Sequence, residues 1–250
     1  MTRARKRFGQ HFLESPSVVA NMIERFGLNA TDRILEIGPG TGALSTHLSG
    51  RAARYLAIEI DRDLIAFLKA RFTDMEIFNE DVLNVDFADL LHDGGWRVIG
   101  NLPYNISSPL MIRLLGSGDL IRDMHFMIQK EMADRMTAIP GTKAWGRLTV
   151  MMQYHCDLEK LFDVSPDAFK PPPKVWSTVV RITPKTAKLA LADERNLDLV
   201  LRTGFSARRK RLSNAFRKLD LDWSQLDLDP ERRPDQLTVG EYVMLANAVP

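Results

Sequence analysis

Arg33-Ile34-Leu35-Glu36-Ile37-Gly38-Pro39-Gly40-Thr41-Gly42-Ala43-Leu44 joins an apolar run, a glycine loop and the start of a second apolar pattern. Read in that order it is a strand, a tight turn and a helix, the opening unit of a nucleotide-binding α/β sheet. Gly38, Gly40 and Ala43 also satisfy the dinucleotide pattern G-x-G-x-x-A, so the loop alone leaves a nicotinamide dehydrogenase open. Glu36 argues for another ligand. A carboxylate beside the loop repels a pyrophosphate and suits a cation. S-adenosylmethionine carries a sulfonium and an ammonium and no phosphate.

The same alternation continues on the C-terminal side. Arg54 to Ile60 reads as a second strand ending in Glu59, with Asp61 capping the next helix. Glu59 stands about twenty residues beyond the loop, where an acid accepts ribose hydroxyl protons. Met75 to Phe78 is a third strand, and Asp81 after it is placed to meet an exocyclic amine. Trp96 to Gly100 is a fourth, and Asp123 to Gln129 a fifth. Helices are expected from Ser15-Pro16 to Gly27, after Ser108-Pro109, over Lys130 to Ile139 and over Leu148 to Cys156. Asp157 to Val164 and Val175 to Ile182 have strand character and suggest an antiparallel hairpin at the sheet edge. Strands alternating with helices predict a mostly parallel, doubly wound sheet.

The fourth strand opens into Asn101-Leu102-Pro103-Tyr104-Asn105, at a strand end where such sheets put their ligands. Asn101 offers an amide oxygen, Leu102 and Pro103 offer outward carbonyls, and Tyr104 offers a flat ring. Acceptors beside a stacking ring suit a planar base with an exocyclic amine. Phe169-Lys170-Pro171-Pro172-Pro173-Lys174 is an extended proline loop, and Phe169 is a second ring for that base. Each residue also has an ordinary reading. Glu59 is then a solvated strand-end acid outside the core, Asp81 a turn residue, and Tyr104 and Phe169 packed aromatics.

The chain has 250 residues, 45% hydrophobic and 26% charged, an ordinary globular composition. No apolar run approaches the roughly 18 residues that span a bilayer, so no membrane association is expected. The single Cys156 excludes an intrachain disulfide and fits a reducing, cytoplasmic setting. Net charge is only +2, but it is clustered. Arg3, Arg5, Lys6 and Arg7 form one basic island. Arg202, Arg208, Arg209, Lys210, Arg211, Arg217 and Lys218 form another. Two islands on a near-neutral protein suggest local contact with a polyanion. Beyond Pro184 to Asp193 the pattern is helical only. The expected organisation is a catalytic domain over residues 1–185 and a small helical domain over 190–250. Within the latter, Ala207 to Leu219 reads as a helix burying Leu212, Ala215, Phe216 and Leu219.

Taken together, Phe8-Gly9-Gln10-His11-Phe12-Leu13, Glu36 to Gly42, Glu59, Asp81, Asn101 to Asn105 and Phe169 to Val175 occur in one order in one chain. This resembles the ribosomal RNA adenine N6,N6-dimethyltransferase family, and among its branches the bacterial small-subunit enzymes. The sister large-subunit methyltransferases share the core but fit the Phe169 block and C-terminal segment less well. A non-catalytic assembly factor remains a further alternative. The resemblance implies a Rossmann-like sheet and S-adenosylmethionine as methyl donor, with no metal. It implies cofactor contacts by His11, Leu13, Gly38, Glu59, Asp81 and Asn101. It assigns target-base handling to Asn101, Leu102, Pro103, Tyr104 and Phe169. The implied substrate is a pair of adjacent adenosines in a loop near the 3′ end of 16S rRNA, within immature 30S subunits. The chain is expected to act as a monomer late in ribosome biogenesis. Position 11 is often Asn in relatives, so a main-chain contact is favoured over the imidazole. Arg208, Arg209 and Lys210, with no interspersed acid, are expected to meet rRNA phosphates.

Overall fold

In the computed structural model, residues 10–250 are described. The basic island at Arg3, Arg5, Lys6 and Arg7, and Phe8-Gly9, lie outside them. The elements run β1 (Phe12–Leu13), α1 (Pro16–Phe26), β2 (Arg33–Ile37), α2 (Ser45–Leu48), β3 (Arg54–Ile58), α3 (Arg62–Arg71), β4 (Met75–Phe78), α4 (Phe87–Leu90) and β5 (Trp96–Asn101). They continue α5 (Ser107–Leu115), β6 (Ile121–Gln129), α6 (Lys130–Met136), α7 (Arg147–His155), β7 (Cys156–Val164), β8 (Phe169–Lys170) and β9 (Ser177–Pro184). Last come α8 (Glu194–Ser206), α9 (Leu212–Ala215) and α10 (Val239–Asn247). No helix of the described residues is long and apolar enough to cross a membrane.

Seven strands form one sheet in the order β4-β3-β2-β5-β6-β9-β7. β2 pairs in parallel with both β3 and β5, which makes it an interior strand. Ile34 and Leu35 are fully buried there, as expected of a strand covered on both faces. The chain moves outward from β2 to β4 and then returns to β5 on the other side. That reversal is the switch point where doubly wound sheets open a crevice. Gly100 makes the β2–β5 approach possible: a Cβ there would stand 2.5 Å from the Ile37 carbonyl oxygen. β9 runs antiparallel to β6, with Phe126 opposite Val180. β7 and β9 are neighbours, as expected, with β7 at the edge. The segment between them supplies β8, which pairs with β1 instead, Leu13 opposite Phe169.

Helix ends follow local chemistry. α1 starts with Pro16 at its first position and ends at Gly27, whose φ of 61° caps it with N–H bonds to the Ile23 and Glu24 carbonyls. α5 begins one residue before the expected Ser108-Pro109, and the Ser107 hydroxyl donates to the Pro103 carbonyl at 3.0 Å.

The chain divides into two compact units, residues 1–133 with 157–184, and residues 134–156 with 185–250. The segment 134–156, expected in the catalytic domain, belongs to the helical unit. Its apolar side chains decide this: Trp145, Val150 and Tyr154 share a core with Leu201, Phe216 and Tyr242. The expected helix over Ala207 to Leu219 is only α9, four residues long. The Leu212 and Ser213 N–H groups bond the carbonyls of Arg232 and Pro230 rather than a preceding turn. The apolar stripe survives, since Leu212, Ala215 and Phe216 are buried. Gly204 does not end α8. It lets the Phe216 ring approach, 2.9 Å from where a Cβ would sit.

Candidate active site

The C-terminal ends of β2, β3 and β5 open on a cavity of about 350 Å³, within the range of small-molecule sites. Its walls include His11, Leu13, Glu36, Gly38, Glu59, Asp81, Asn101, Leu102, Pro103 and Tyr104. Every expected cofactor residue therefore lies on one cavity. Gly38 (φ 69°) and Gly40 (φ 59°) take the left-handed backbone that bends β2 into the loop. The space over Gly40 is filled by Phe12, whose ring would lie 3.2 Å from an added Cβ.

Glu59 is not a solvated strand-end acid, for it is 4% exposed. Its Oε2 accepts from the Gly40 N–H at 3.0 Å and its Oε1 from the Asp61 N–H at 2.9 Å. Burial raises its pKa. The carboxylate thus holds the glycine loop, and it keeps acceptor capacity for a ligand hydroxyl. Asp81 is both a turn residue and a wall of the cavity: its Oδ1 accepts from the Leu83 N–H at 2.9 Å. Glu36 is fully buried and accepts from the Tyr55 and Ser45 hydroxyls. Burial pushes its pKa up to about 7. A cation beside it would draw it back to the ionised form.

Asn101 ends β5 and donates through Nδ2 to the His11 carbonyl at 2.9 Å. A carbonyl only accepts, so the facing atom is the amide nitrogen, and Oδ1 remains an acceptor. No hydrogen bond from the described residues reaches it. The His11 main chain is engaged by Asn101, while the imidazole Nδ1–H donates to the Pro171 carbonyl at 2.7 Å. The His11 ring stacks on Tyr104, with centroids 5.8 Å apart and planes at 27°. The Tyr104 hydroxyl is hydrogen-bonded to Ser177 Oγ at 2.8 Å.

Two expectations for this loop change. The Pro103 carbonyl does not face outward as a free acceptor, because it receives the Ile106 N–H and the Ser107 hydroxyl. The Leu102 carbonyl receives no hydrogen bond from the described residues, and its N–H donates to Met127. Phe169 is not in the cavity wall. It is 4% exposed and packs in the core with Leu13 and Met127, because the β1–β8 pairing draws it inward. The packed-aromatic reading holds for it.

Three further residues shape the site. Gln10 Nε2 donates to Asp61 Oδ2 at 3.1 Å and lines the cavity. Phe12 covers Gly40, and Ser177 anchors Tyr104. The position of Gln10 and Phe12 beside His11 and Leu13 was a visible signal. Ser177 lies 73 residues from Tyr104, and nothing local reveals that pairing.

The second basic island is not part of the cavity. Arg208, 32% exposed at its side chain, bonds Asp235 and the carbonyls of Thr142 and Lys143. Arg211 pairs with Glu231. Arg209 and Lys210 are not buried and have no ion pair among the described residues.

The donor set fits S-adenosylmethionine. Two buried carboxylates, Glu36 and Glu59, suit hydroxyls and a cation, a glycine loop gives close approach, and Ile60 and Val82 add apolar wall. Known proteins match this chain along its length. The family model described as ribosomal RNA adenine dimethylase matches residues 1–248. The "Ribosomal RNA small subunit methyltransferase A" of Saccharophagus degradans is 46% identical, over 99% of this chain and 95% of that protein. The protein of the same name from Pseudomonas aeruginosa is 46% identical over 98% and 94%. Among solved structures, a dimethyladenosine transferase from Plasmodium falciparum superposes with a TM-score of 0.81, at 28% identity over 94% of this chain and 96% of that one. The 23S rRNA methyltransferase ErmE shares the fold, with a TM-score of 0.76 at 22% identity over 95% and 99%. The chain belongs to the ribosomal RNA adenine dimethylase family.

Proposed function

We propose that this enzyme transfers methyl groups from S-adenosylmethionine to N6 of two adjacent adenosines in a loop near the 3′ end of 16S rRNA. Its substrate is the immature 30S subunit. It works in the cytoplasm, as a monomer, late in subunit biogenesis. The observation that carries this reading is the orientation of Asn101. With Nδ2 spent on the His11 carbonyl, Oδ1 is left to accept, next to a Leu102 carbonyl that is also unspent.

The adenine N6 lone pair is delocalised into the ring and is a poor nucleophile. Two acceptors on its two hydrogens favour a pyramidal nitrogen and aim the lone pair. Bound S-adenosylmethionine supplies the electrophilic methyl of its sulfonium. Glu59 and Asp81 are the groups for its hydroxyls and amine, and Glu36 for its positive charge. The His11–Tyr104 stack gives the flipped base a flat wall, each such stack being worth roughly 1–3 kcal/mol. Holding the reacting atoms in line supplies on the order of 7–11 kcal/mol of the barrier. No general base is required, because the methylated ammonium is strongly acidic. The base must leave its stack to enter the cavity, which costs least in a single-stranded loop.

Incubation with labelled S-adenosylmethionine and immature 30S subunits, naked 16S rRNA or 50S subunits tests this reading. The expected product is N6,N6-dimethyladenosine in the immature 30S sample. Label confined to 50S subunits would overturn it.

A further inference from the structure

Of the four tryptophans, Trp96 and Trp145 are buried and Trp223 is partly covered, whereas Trp176 is 51% exposed. Beside it Val175 is 43% exposed. An exposed tryptophan on a mobile loop would mean little, but Trp176 stands on fixed backbone. Its carbonyl accepts the Lys130 N–H at 2.9 Å. Three prolines lead into it, and the next residue, Ser177, begins β9 opposite Gln129. Ser177 is also the residue whose Oγ holds the Tyr104 hydroxyl at 2.8 Å. The exposed indole is therefore the immediate chain neighbour of the residue that anchors the cavity's stacking ring. Lys170, the last residue of β8, and Lys174, on the loop that follows, precede it. Both are exposed and have no ion pair among the described residues. Among the described phenylalanines and tryptophans of this unit, the other exposed ring, Phe67, lies under the Arg71 guanidinium.

Cations interleaved with a flat, solvent-facing ring are the recognition set for single-stranded nucleic acid: phosphates on the lysines, a base on the ring. We propose that Trp176 is a positioning residue that stacks on the unpaired nucleotide next to the target adenosine, while Lys170 and Lys174 hold its phosphates. Stacking the neighbour outside would keep the target turned into the cavity, and would hold the loop between the two methylations. This inference rests on the rRNA methyltransferase reading above.

The test compares the parent, Trp176→Ala and Trp176→Phe in steady-state methylation of immature 30S subunits, with S-adenosylmethionine affinity measured alongside. Trp176→Ala is expected to raise KM for subunits about tenfold, with kcat and S-adenosylmethionine affinity close to the parent's. Trp176→Phe is expected to recover most of the loss. A second readout uses Trp223→Phe protein, in which Trp176 is the only tryptophan not buried. A short single-stranded RNA with two adjacent adenosines should quench its fluorescence, and should not quench the Trp176→Phe/Trp223→Phe double variant. An unchanged KM in Trp176→Ala, or equal losses in the Ala and Phe variants, overturns the inference while leaving the methyltransferase reading intact. A parent that methylates no rRNA overturns both.

Discussion

The loop after β5 and the turn after α8 are both short and dense with hydrogen-bonding groups, yet they spend those groups differently. At Asn101 one half of the amide is consumed by the His11 carbonyl, and this fixes the other half as an acceptor. At Arg208 the guanidinium is consumed on both sides, by Asp235 and by the carbonyls of Thr142 and Lys143. Three of its five N–H groups are spent in this way. The first arrangement prepares a group for a ligand, and the second builds a turn. Arg209 and Lys210, next in the chain, have no ion pair among the described residues, so of the three expected residues these two hold their charge unpaired.

The largest expected effect is at the prepared group. Asn101→Ala should lower single-turnover methylation by roughly 10²–10³-fold, the scale for removing one preorganised polar group from a reacting centre. Rapid-quench measurement with saturating S-adenosylmethionine checks it. A loss under tenfold would put Asn101 on the same footing as a structural turn residue.

The turn should behave in the opposite way. Arg208→Ala removes charged hydrogen bonds to three acceptors and should destabilise the helical unit by about 1.5–3 kcal/mol. The salt dependence of subunit binding should be unchanged. Arg209→Ala/Lys210→Ala should leave thermal stability nearly untouched. It should flatten the salt dependence by a slope of roughly 0.7–0.9 for each phosphate that the variant no longer neutralises. Thermal melts and binding titrations at several salt concentrations separate the two. If Arg208→Ala alone flattens the salt slope, the distinction between builder and binder fails.

Why one region was legible and the other was not has a physical basis. The glycine loop, Glu59, Asp81 and Asn101 follow parallel strands, and strand ends in such sheets converge on one crevice. Periodicity and glycine placement carry that information locally. The fate of Phe169 depended on β1 pairing with β8, at the far end of the catalytic unit's sequence. The length of α9 depended on carbonyls at Pro230 and Arg232. The allegiance of α7 depended on a core shared with α8 and α10. A run of arginines carries its charge in sequence but not its partners.

A smaller effect concerns Glu36. Its folded pKa of about 7 lies above the ordinary 4.5. Between those values the folded protein holds a proton that the unfolded chain has released, so stability should fall as pH rises through that window. A cationic ligand favours the ionised carboxylate, so S-adenosylmethionine affinity should rise across the same range. Glu36→Gln should flatten both profiles, read by denaturant titration and by calorimetry. Profiles that keep their slope in the variant would remove Glu36 from the account.

The contrast between the two regions is tested most directly by measuring single-turnover methylation and 30S binding side by side, for Asn101→Ala and for Arg209→Ala/Lys210→Ala. The predicted result is a crossed pattern. The first variant binds subunits nearly as the parent does and loses the chemical step. The second keeps the chemical step once bound and loses affinity. Equal losses of binding and chemistry in Asn101→Ala would contradict the claim that its amide oxygen acts on the reacting nitrogen.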